Sequence, residues 1–243
     1  MANSVITGTG CYIPTRKVEN KDFIGKEFYA EGGKKIEKSN EEIIKKFQEI
    51  TCIRERRYIT DDLVTSDIAY EAAKEALKGM DREELDYIIV AHNYGDVRAG
   101  NNRVDICPSL ASRVKYLLEI ENPYCVAYDV PFGCPGWLHG MIIADYYIRS
   151  GDAKKILVIG SDVLSRVVDP HDIDSMIFAD GAGAVVVEAT EEPVGILSHT
   201  SRTDAKKEAY LIWTGEGYGP NKKDSDDIYL KMNGHQIYKY ALR

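Results

Sequence analysis

The sequence predicts an α/β layered fold, in which strands and helices alternate along the chain. Two continuous apolar runs, Asp86–Ala91 and Lys155–Gly160, are typical of strands that are buried on both faces of a parallel sheet. Helical patterns lie between and beside them, over Ser66–Lys78, Pro108–Glu119 and Cys134–Arg149. This alternation indicates helices layered on a sheet, so neither an all-α nor an all-β domain is expected.

The first 60 residues lack this regular alternation. They are predicted to contain a strand over Val5–Gly10, a short helix over Asn20–Tyr29, a loop over Glu31–Lys35, a helix over Ser39–Glu49 and an extended run over Arg54–Ile59. Ser39, with Glu42 three residues later, forms a capping box that favours the start of the second helix. The glycines near Val5 are not a dinucleotide-binding fingerprint, because a third glycine and an immediate helix are missing.

The carboxy-terminal part, beyond Gly160, has shorter apolar runs. It is predicted to contain two short strands around a glycine turn over Ile177–Val187, a strand over Gly195–Thr200, an extended run over Asp226–Met232 and a helix that begins at Asn233. The glycine turn is not a phosphate loop, because the lysine and the following helix of such loops are missing.

Composition and charge exclude several functions. The 31 basic and 39 acidic residues give a net charge of −8, whereas a nucleic-acid binder needs a basic face. No apolar run approaches the roughly 18 residues that span a bilayer, so no membrane contact is expected. The chain starts without a secretory signal, and we expect it in the cytoplasm. A local basic cluster at Arg54 and Arg57 could meet an acidic partner.

The five cysteines are expected to be free thiols. Their number is odd and their spacing fits no zinc pattern, and no two histidines have the spacing of metal ligands on a helix. We therefore expect neither a disulfide framework nor a metal site. Four of the five are expected to be small core residues: Cys11, Cys52, Cys107 and Cys125.

The fifth, Cys134, is the candidate nucleophile. A strand over Tyr124–Val130 leads into a tight loop, and Cys134 comes at the start of an apolar helix with Gly133 before it and Pro135 after it. Proline suits the first turn of a helix, and the N–H groups and positive dipole end found there favour a thiolate. A thiol so placed can accept an acyl group. The alternative is a buried structural cysteine.

No histidine in the chain is expected to act as the base for Cys134. His139 is five residues further on, which places it roughly 140° away around the helix, so it is expected to be a packing residue. His92 ends a buried strand and is expected to line the pocket. The others are expected in loops, at the surface or in the last helix: His171, His199 and His235.

Several short motifs, in this order and spacing, resemble the β-ketoacyl-acyl-carrier-protein synthase III family. They are Gly8–Pro14, Thr51–Arg57, Asp129–Gly136, Gly160–Ser165, Asp169–Asp172, Phe178–Ala184 and Met232–Tyr240. The resemblance implies a thiolase-like layered fold, with a mixed sheet and helices on both faces. It also implies that residues 1–232 form the amino-terminal half of this fold and that residues 233–243 start a linker helix, so the second half-repeat is expected to be largely missing.

The resemblance implies an acyltransferase. Cys134 would accept an acyl group from a thioester and pass it to malonyl-acyl-carrier protein in a decarboxylative Claisen condensation, within fatty-acid or related lipid or polyketide biosynthesis. Gly133 and Phe178 would belong to the oxyanion and pocket region. The histidine and asparagine that the family uses would lie past Arg243, so the isolated chain is expected to be inactive in condensation. Acyl-carrier protein is the implied partner, a homodimer is expected, and no cofactor is implied.

The resemblance also implies where substrate binds, and two departures affect it. Thr51, Arg54, Arg57 and His92 are the implied substrate-binding residues. The segment before Thr51 lacks the tryptophan and arginine that often hold the adenine of coenzyme A, which leaves the donor open between coenzyme A and carrier protein. An apparent insertion over Lys26–Asn40 and a changed loop over His92–Asn102 fit a specialised enzyme that makes dialkylresorcinol or cyclohexanedione lipids.

Two further alternatives stay open at this stage. One is a non-catalytic subunit that contributes to dimerisation or chain-length control, although retention of Cys134 argues against it. The other is a cysteine hydrolase that forms the same acyl-enzyme and releases it to water.

Overall fold

The computed structural model describes residues 2–220 and 227–242. Met1, Arg243 and Asp226, the first residue of the predicted run Asp226–Met232, lie outside the described residues. The β-strands are β1 (Asn3–Tyr12), β2 (Arg16–Glu19), β3 (Tyr29–Ala30), β4 (Lys34–Lys35), β5 (Glu55–Tyr58), β6 (Tyr87–Ala91), β7 (Asp96–Val97), β8 (Val104–Asp105), β9 (Val126–Val130), β10 (Lys155–Val163), β11 (Asp180–Thr190), β12 (Ile212–Glu216) and β13 (Ile228–Met232). The α-helices are α1 (Asn40–Thr51), α2 (Thr65–Ala76), α3 (Leu110–Leu117), α4 (Gly136–Ser150) and α5 (Gly234–Ala241).

The central sheet is mixed and has the strand order β1-β11-β10-β6-β9. β10, β6 and β9 are parallel to one another, whereas β11 is antiparallel to both of its neighbours, β1 and β10. The parallel strands are joined by helical crossovers, as parallel neighbours require. The carboxyl ends of β6, β9 and β10 therefore meet at one edge of the sheet.

Helices cover both faces of this sheet, as the sequence predicts. Alternate side chains of β6 point to opposite faces: Ile88 and Val90 pack with α2 and α3, while Ile89 packs under α4. These strand residues have no exposed surface. The result is three layers with two apolar cores, one on each side of the sheet.

The helix α1 begins as predicted, but the prediction of a helix before it is wrong. The Ser39 hydroxyl accepts from the Glu42 N–H, and the Glu42 carboxylate accepts from the Ser39 N–H, so the capping box is present. The predicted helix Asn20–Tyr29 is only a 3₁₀ turn over Asn20–Phe23. Tyr29 instead pairs with Lys35 in a two-stranded hairpin that occupies the predicted loop.

One continuous strand replaces the two predicted strands around a glycine turn in Ile177–Val187. Every residue of β11 from Asp180 to Glu188 pairs with β10, and Gly183 also pairs with Cys11 of β1. Neighbours on both sides hold the glycines in an extended conformation that their local preference alone would not select.

The predicted strand Gly195–Thr200 is also wrong, because this segment has no regular ladder. The Ile196 N–H donates to the Ser4 carbonyl oxygen at 3.0 Å, and the segment is otherwise irregular. Gly195 has φ +103°, a left-handed conformation that interrupts a strand and favours glycine.

The predicted burial of several side chains needs correction. Cys125 is buried as expected, but three other cysteines expected in the core are exposed: Cys11, Cys52 and Cys107. All five cysteines are unpaired. His199, expected at the surface, is half-buried, and its Nε2 lies 3.3 Å from the Asp145 carboxylate. No helix within the described ranges is long and apolar enough to cross a bilayer.

A buried cation ties the β12–β13 hairpin to the rest of the molecule. The Lys231 side chain is 1% exposed, and its ammonium group donates to the carboxylates of Asp169 and Asp172. The ammonium also lies 3.2 Å from the centroid of the Tyr218 ring. Nearby, burial and the charge of Asp172 raise the pKa of Asp174 to about 6.

The substitution Asp174→Asn should stabilise the protein at neutral pH. Because the pKa of Asp174 is higher in the folded chain than its ordinary 3.8, the wild type loses stability as pH rises through about 6. The variant should unfold at higher urea above pH 7, with a gain of about 1–2 kcal/mol in the free energy of unfolding. The gain should vanish below about pH 4, and a variant less stable than wild type at pH 8 would contradict the prediction.

Candidate active site

The candidate nucleophile lies at the edge of the sheet where the three parallel strands end. β9 ends at Val130, and a five-residue loop leads to α4, so Cys134 projects from the loop just before the helix. The helix begins at Gly136 with Pro135 as its N-cap, two residues later than predicted. Cys134 is exposed. The side chain of Pro135 accepts no hydrogen bond from the first turn of α4, so the N-cap residue does not satisfy the free N–H groups at this helix end.

Two glycines shape the nucleophile loop. Gly133 has φ +79°, a left-handed conformation that favours glycine, and its carbonyl oxygen accepts from the Gly136 N–H at 2.9 Å. A Cβ on Gly136 would lie 3.1 Å from the Cβ of Ala91 at the end of β6. The absence of that Cβ lets the start of α4 sit directly on the sheet edge.

An aromatic stack fastens the loop to the first turns of the helix. The rings of Phe132 and His139 are parallel within 4°, with centroids 4.2 Å apart. His139 is therefore a packing residue, as predicted, and its buried Nδ1 has no hydrogen-bond partner among the described residues. Trp137 is 36% exposed, with its Cβ 3.1 Å from the position that a Cβ on Gly160 would take.

Asp129 joins two of the strand ends to a helix. Its carboxylate accepts from the N–H groups of Leu110 and Ala111, at the start of α3, at 2.7 and 2.8 Å. It also accepts from His92 Nε2 at 3.1 Å. Burial alone would raise the pKa of Asp129, but these donors outweigh it, so the pKa is lowered.

His92 is hydrogen-bonded within the fold and forms no hydrogen bond with Cys134. Its side chain is 4% exposed, and its Nδ1 accepts from the Gly95 N–H at 3.1 Å. That bond leaves the ring proton on Nε2, where it is donated to Asp129. The expectation that His92 binds substrate stays a prediction, but the side chain already has partners at both nitrogens.

A second carboxylate at this edge belongs to Asp162, near the end of β10. Its two oxygens accept from the backbone N–H and from the side-chain amide of Asn93, at 2.8 and 2.6 Å. Burial raises the pKa of Asp162, and the Asn93 donors partly offset this. The other end of the Asn93 amide, Oδ1, lies 3.7 Å from the position of a Cβ on Gly133.

Phe178 lies at the same edge of the sheet, just before another strand. It is half-buried and precedes β11, whose first residue, Asp180, pairs with Val163 at the end of β10. The strands β10 and β6 separate it from the strand that carries the nucleophile. The Asp180 carboxylate accepts from the Ile59 N–H at 3.0 Å and from the Ser165 hydroxyl at 2.7 Å, which holds β11 in place.

The three remaining predicted substrate residues lie together in the α1–β5 unit. The Thr51 hydroxyl donates to the Phe47 carbonyl oxygen and accepts from the Ile53 N–H, so it completes the end of α1. Arg54 is exposed, and Arg57 is half-buried near Glu55. Among the residues that the structure describes, none of these three side chains is hydrogen-bonded to the Cys134 loop.

A cavity of about 1040 Å³ lies away from these residues. It is bounded by α2, α3 and the loop that carries β7 and β8, and Arg113 bridges Asp96 and Asp105 in its wall. None of the predicted site residues lines it. Among the described residues, no group of three His, Cys, Asp or Glu side chains could hold a metal ion.

Sequence reasoning missed Asn93 and Asp162 as members of the site. The signal available was their position: Asn93 is two residues past the apolar run of β6, and Asp162 is two residues past Gly160. Polar side chains directly after parallel strands converge on one edge of the sheet, where α/β proteins place their ligands.

This architecture is that of a thiolase-like α/β protein with a cysteine between a parallel strand and its helix, and comparison supports it. The profile of the 3-oxoacyl-[acyl-carrier-protein] synthase III family matches residues 128–205. A β-ketoacyl-[acyl-carrier-protein] synthase III of Xanthomonas euvesicatoria is 36% identical over 248 residues, which cover 99% of this chain and 68% of the relative.

Solved structures agree with this match. The 3-oxoacyl-[acyl-carrier-protein] synthase III of Aquifex aeolicus superposes with a TM-score of 0.72 and is 31% identical, over 99% of this chain and 67% of that one. The enzyme from Thermus thermophilus superposes with a TM-score of 0.75 and is 28% identical, over 98% of this chain and 68% of that one. The chain thus spans about two thirds of these relatives. It belongs to the β-ketoacyl-acyl-carrier-protein synthase III family, a family of condensing acyltransferases.

The substitution Asp129→Asn should destabilise the fold at the candidate site. An amide offers one acceptor oxygen where the carboxylate serves three donors, so the free energy of unfolding in urea should fall by about 2–3 kcal/mol at pH 7. Because the pKa of Asp129 is lowered in the folded chain, the difference should shrink as pH falls below about 4. Asp105→Asn, whose exposed carboxylate pairs with Arg113, is the control and should cost less than about 1 kcal/mol. Equal losses in the two variants would refute the prediction.

Proposed function

We propose that Cys134 is the acyl-accepting nucleophile of this condensing enzyme. The observation that carries the proposal is the exposed thiol in the loop just before α4, at the edge where β6, β9 and β10 end, in a chain of this family. The Cys134 thiolate attacks the carbonyl carbon of an acyl thioester, and the tetrahedral intermediate collapses with loss of the donor thiolate. Backbone N–H groups around Gly133 and Cys134 stabilise the oxyanion.

The second half-reaction is a decarboxylative condensation. Malonyl-carrier protein loses carbon dioxide, the resulting carbanion attacks the acyl-Cys134 carbonyl carbon, and the Cys134 thiolate leaves as the β-ketoacyl product forms. No resident cofactor is required, because the thioester and the departing carboxylate supply the driving force. We place Phe178 in the wall of the acyl site, which its position at the same sheet edge supports.

We propose that residues 1–232 are the amino-terminal half of the fold and that residues 233–243 start a linker. The relatives are about half as long again as this chain, since it covers 68% of the first of them. The side chains that assist decarboxylation, a histidine and an asparagine, would be supplied by the corresponding further part of the fold. This chain alone would then form the acyl-enzyme without completing the condensation.

We infer that acyl-carrier protein is the partner of this chain and that the chain works in the cytoplasm. The relatives are named for their action with acyl-carrier protein. Arg54 is exposed and Arg57 is half-buried at one end of the α1–β5 unit, and basic side chains complement an acidic carrier. Five unpaired cysteines fit a reducing compartment.

Acyl transfer to Cys134 tests the proposal directly. The chain should gain one acyl group, located on the Cys134 peptide by mass spectrometry, when it is incubated with a short acyl-carrier protein or acyl-coenzyme A. Cys134→Ala should abolish the adduct, and Cys11→Ala, at another exposed cysteine, should retain it. An adduct that persists in Cys134→Ala, or its absence from the wild type with both donors, would overturn the proposal.

The same assay separates the remaining alternatives. The changed loop after His92, which carries β7 and β8, lies next to the Asn93–Gly133 contact, and this favours a specialised acyl pocket as the second candidate. A preference for long β-ketoacyl chains over short acyl chains would support an enzyme of the dialkylresorcinol or cyclohexanedione type. Release of free acid that depends on Cys134 would instead indicate a hydrolase.

We propose that the protein forms a homodimer through the nucleophile side of the sheet. Among the described residues β9 is an edge strand, and the adjoining surface exposes Phe132, Leu138 and Tyr146. Unpaired strand edges and apolar patches are typical of subunit contacts. Light scattering should give twice the 27.3 kDa mass of the chain, and Val126→Lys, on β9, should return it to 27.3 kDa. A monomeric wild type would refute the dimer.

A further inference from the structure

The loop before Cys134 has a neighbour that the proposed chemistry does not use. Gly133 faces Asn93, whose Oδ1 lies 3.7 Å from the position of a Cβ on Gly133, an ordinary van der Waals distance. Gly133 is in a left-handed conformation at φ +79°, one of several that glycine adopts at little cost, so its neighbours help to select it. Outside the residues adjoining Gly133 in the chain, the Asn93 Oδ1 is the atom nearest to that Cβ position.

The orientation of the Asn93 amide is determined by Asp162. The Asn93 Nδ2 donates to Asp162 Oδ2 at 2.6 Å, and the Asn93 backbone N–H donates to Oδ1 at 2.8 Å. A flipped amide would bring Oδ1 against the Asp162 carboxylate, so the flip is disfavoured. Oδ1 is consequently directed at Gly133, and no donor to it is present among the described residues.

Asp162 is itself well placed to anchor this contact. Along β10, residues 158, 160 and 162 share one face of the sheet: Val158 packs beneath α4, and Gly160 lies under Trp137. Asp162 therefore lies on the face covered by the nucleophile helix, at the carboxyl end of the strand. Besides Asn93, the groups around its carboxylate are the Tyr94 N–H and the ring of His92.

We infer that Asn93 is a positioning residue for Cys134, held by Asp162 and acting through Gly133. Asp162, at the end of β10, fixes the residue that follows β6, and that residue supports the loop that follows β9. The contact thus links all three parallel strand ends to the nucleophile. The inference rests on the proposed role of Cys134 and adds the residues that set its position.

The chain offers a matched control for Asn93. Asn122 also donates both its backbone N–H and its side-chain amide to a single acidic residue, Glu83, at 2.8 and 3.0 Å. It precedes β9, so it lies at the opposite end of the strand from Cys134. Replacing either asparagine by alanine keeps the backbone N–H bond and removes the amide donor, to the Asp162 carboxylate in one case and to the Glu83 carbonyl oxygen in the other. Asn122→Ala also removes the acceptor of the Tyr124 N–H, but only Asn93 faces the nucleophile loop.

The test compares Asn93→Ala with Asn122→Ala in the whole chain. Single-turnover acylation of Cys134 by an acyl thioester should slow by about 10- to 100-fold in Asn93→Ala, with unchanged affinity for the donor, because a displaced nucleophile loses its attack geometry. Asn122→Ala should acylate at the wild-type rate even where it unfolds at lower urea. Equal acylation rates in Asn93→Ala and wild type would overturn the inference.

A pH signature distinguishes positioning from a merely structural role. In Asn93→Asp two carboxyl groups face each other, so they share a proton at low pH and repel once both are ionised. The acylation rate of this variant, divided by that of the wild type, should therefore fall as pH rises from 5 to 8. A ratio independent of pH would overturn the inference.

Iodoacetamide labelling separates this inference from the proposed function. Labelling of the Cys134 peptide, followed by mass spectrometry, needs no acyl substrate, and it should be slower in Asn93→Ala than in Asn122→Ala. If the wild type fails to acylate but labelling differs in this way, the proposed function fails and the positioning role stands. Equal labelling in both variants overturns the positioning role alone. If Asn93→Ala does not fold by circular dichroism, Asp162→Asn, which replaces one of the two oxygens that accept from Asn93 by an NH₂ group, takes its role in both comparisons.

Discussion

The carboxylate of Asp129 is the interaction on which the arrangement of the candidate site depends. It lies at the end of the strand that leads to Cys134, and it accepts from two N–H groups at the start of α3 and from His92 at the end of β6. A helix terminus needs acceptors for its free N–H groups, and a buried carboxylate needs donors. The carboxylate supplies the acceptor and the helix N–H groups supply the donors, so the two strand ends and the helix are held in one geometry.

The nucleophile loop shows why a structural framework of this kind matters for catalysis. Five residues connect β9 to α4, and one of them, Gly133, has a left-handed backbone conformation. Such a loop has few contacts of its own, so the position of Cys134 depends on what surrounds it. The stack of Phe132 on His139 holds it from the helix side, and Asn93 holds it from the sheet side. Both supports are packing contacts.

Membership of the family and the geometry of this chain contribute different kinds of information. The relatives define the class of reaction, and their greater length defines how much of the family fold this chain covers. The geometry shows that the implied substrate residues are of two kinds. Thr51 and His92 already have hydrogen-bond partners within the chain, whereas Arg54 is exposed at the surface. A residue in the second situation is the better candidate for binding.

The sequence by itself determined the layered α/β class, the helices α1 to α4, the buried strands and the choice of Cys134, because hydrophobic periodicity, capping residues and proline positions act locally. Only the tertiary structure decided the rest. Gly181 and Gly183 lie within one long strand because both neighbours of β11 pair with it, which no local pattern reveals. The exposure of Cys11 and Cys52 and the contact from Asp162 through Asn93 to Gly133 join residues far apart in sequence. Such contacts arise from strand order, which local propensity does not encode.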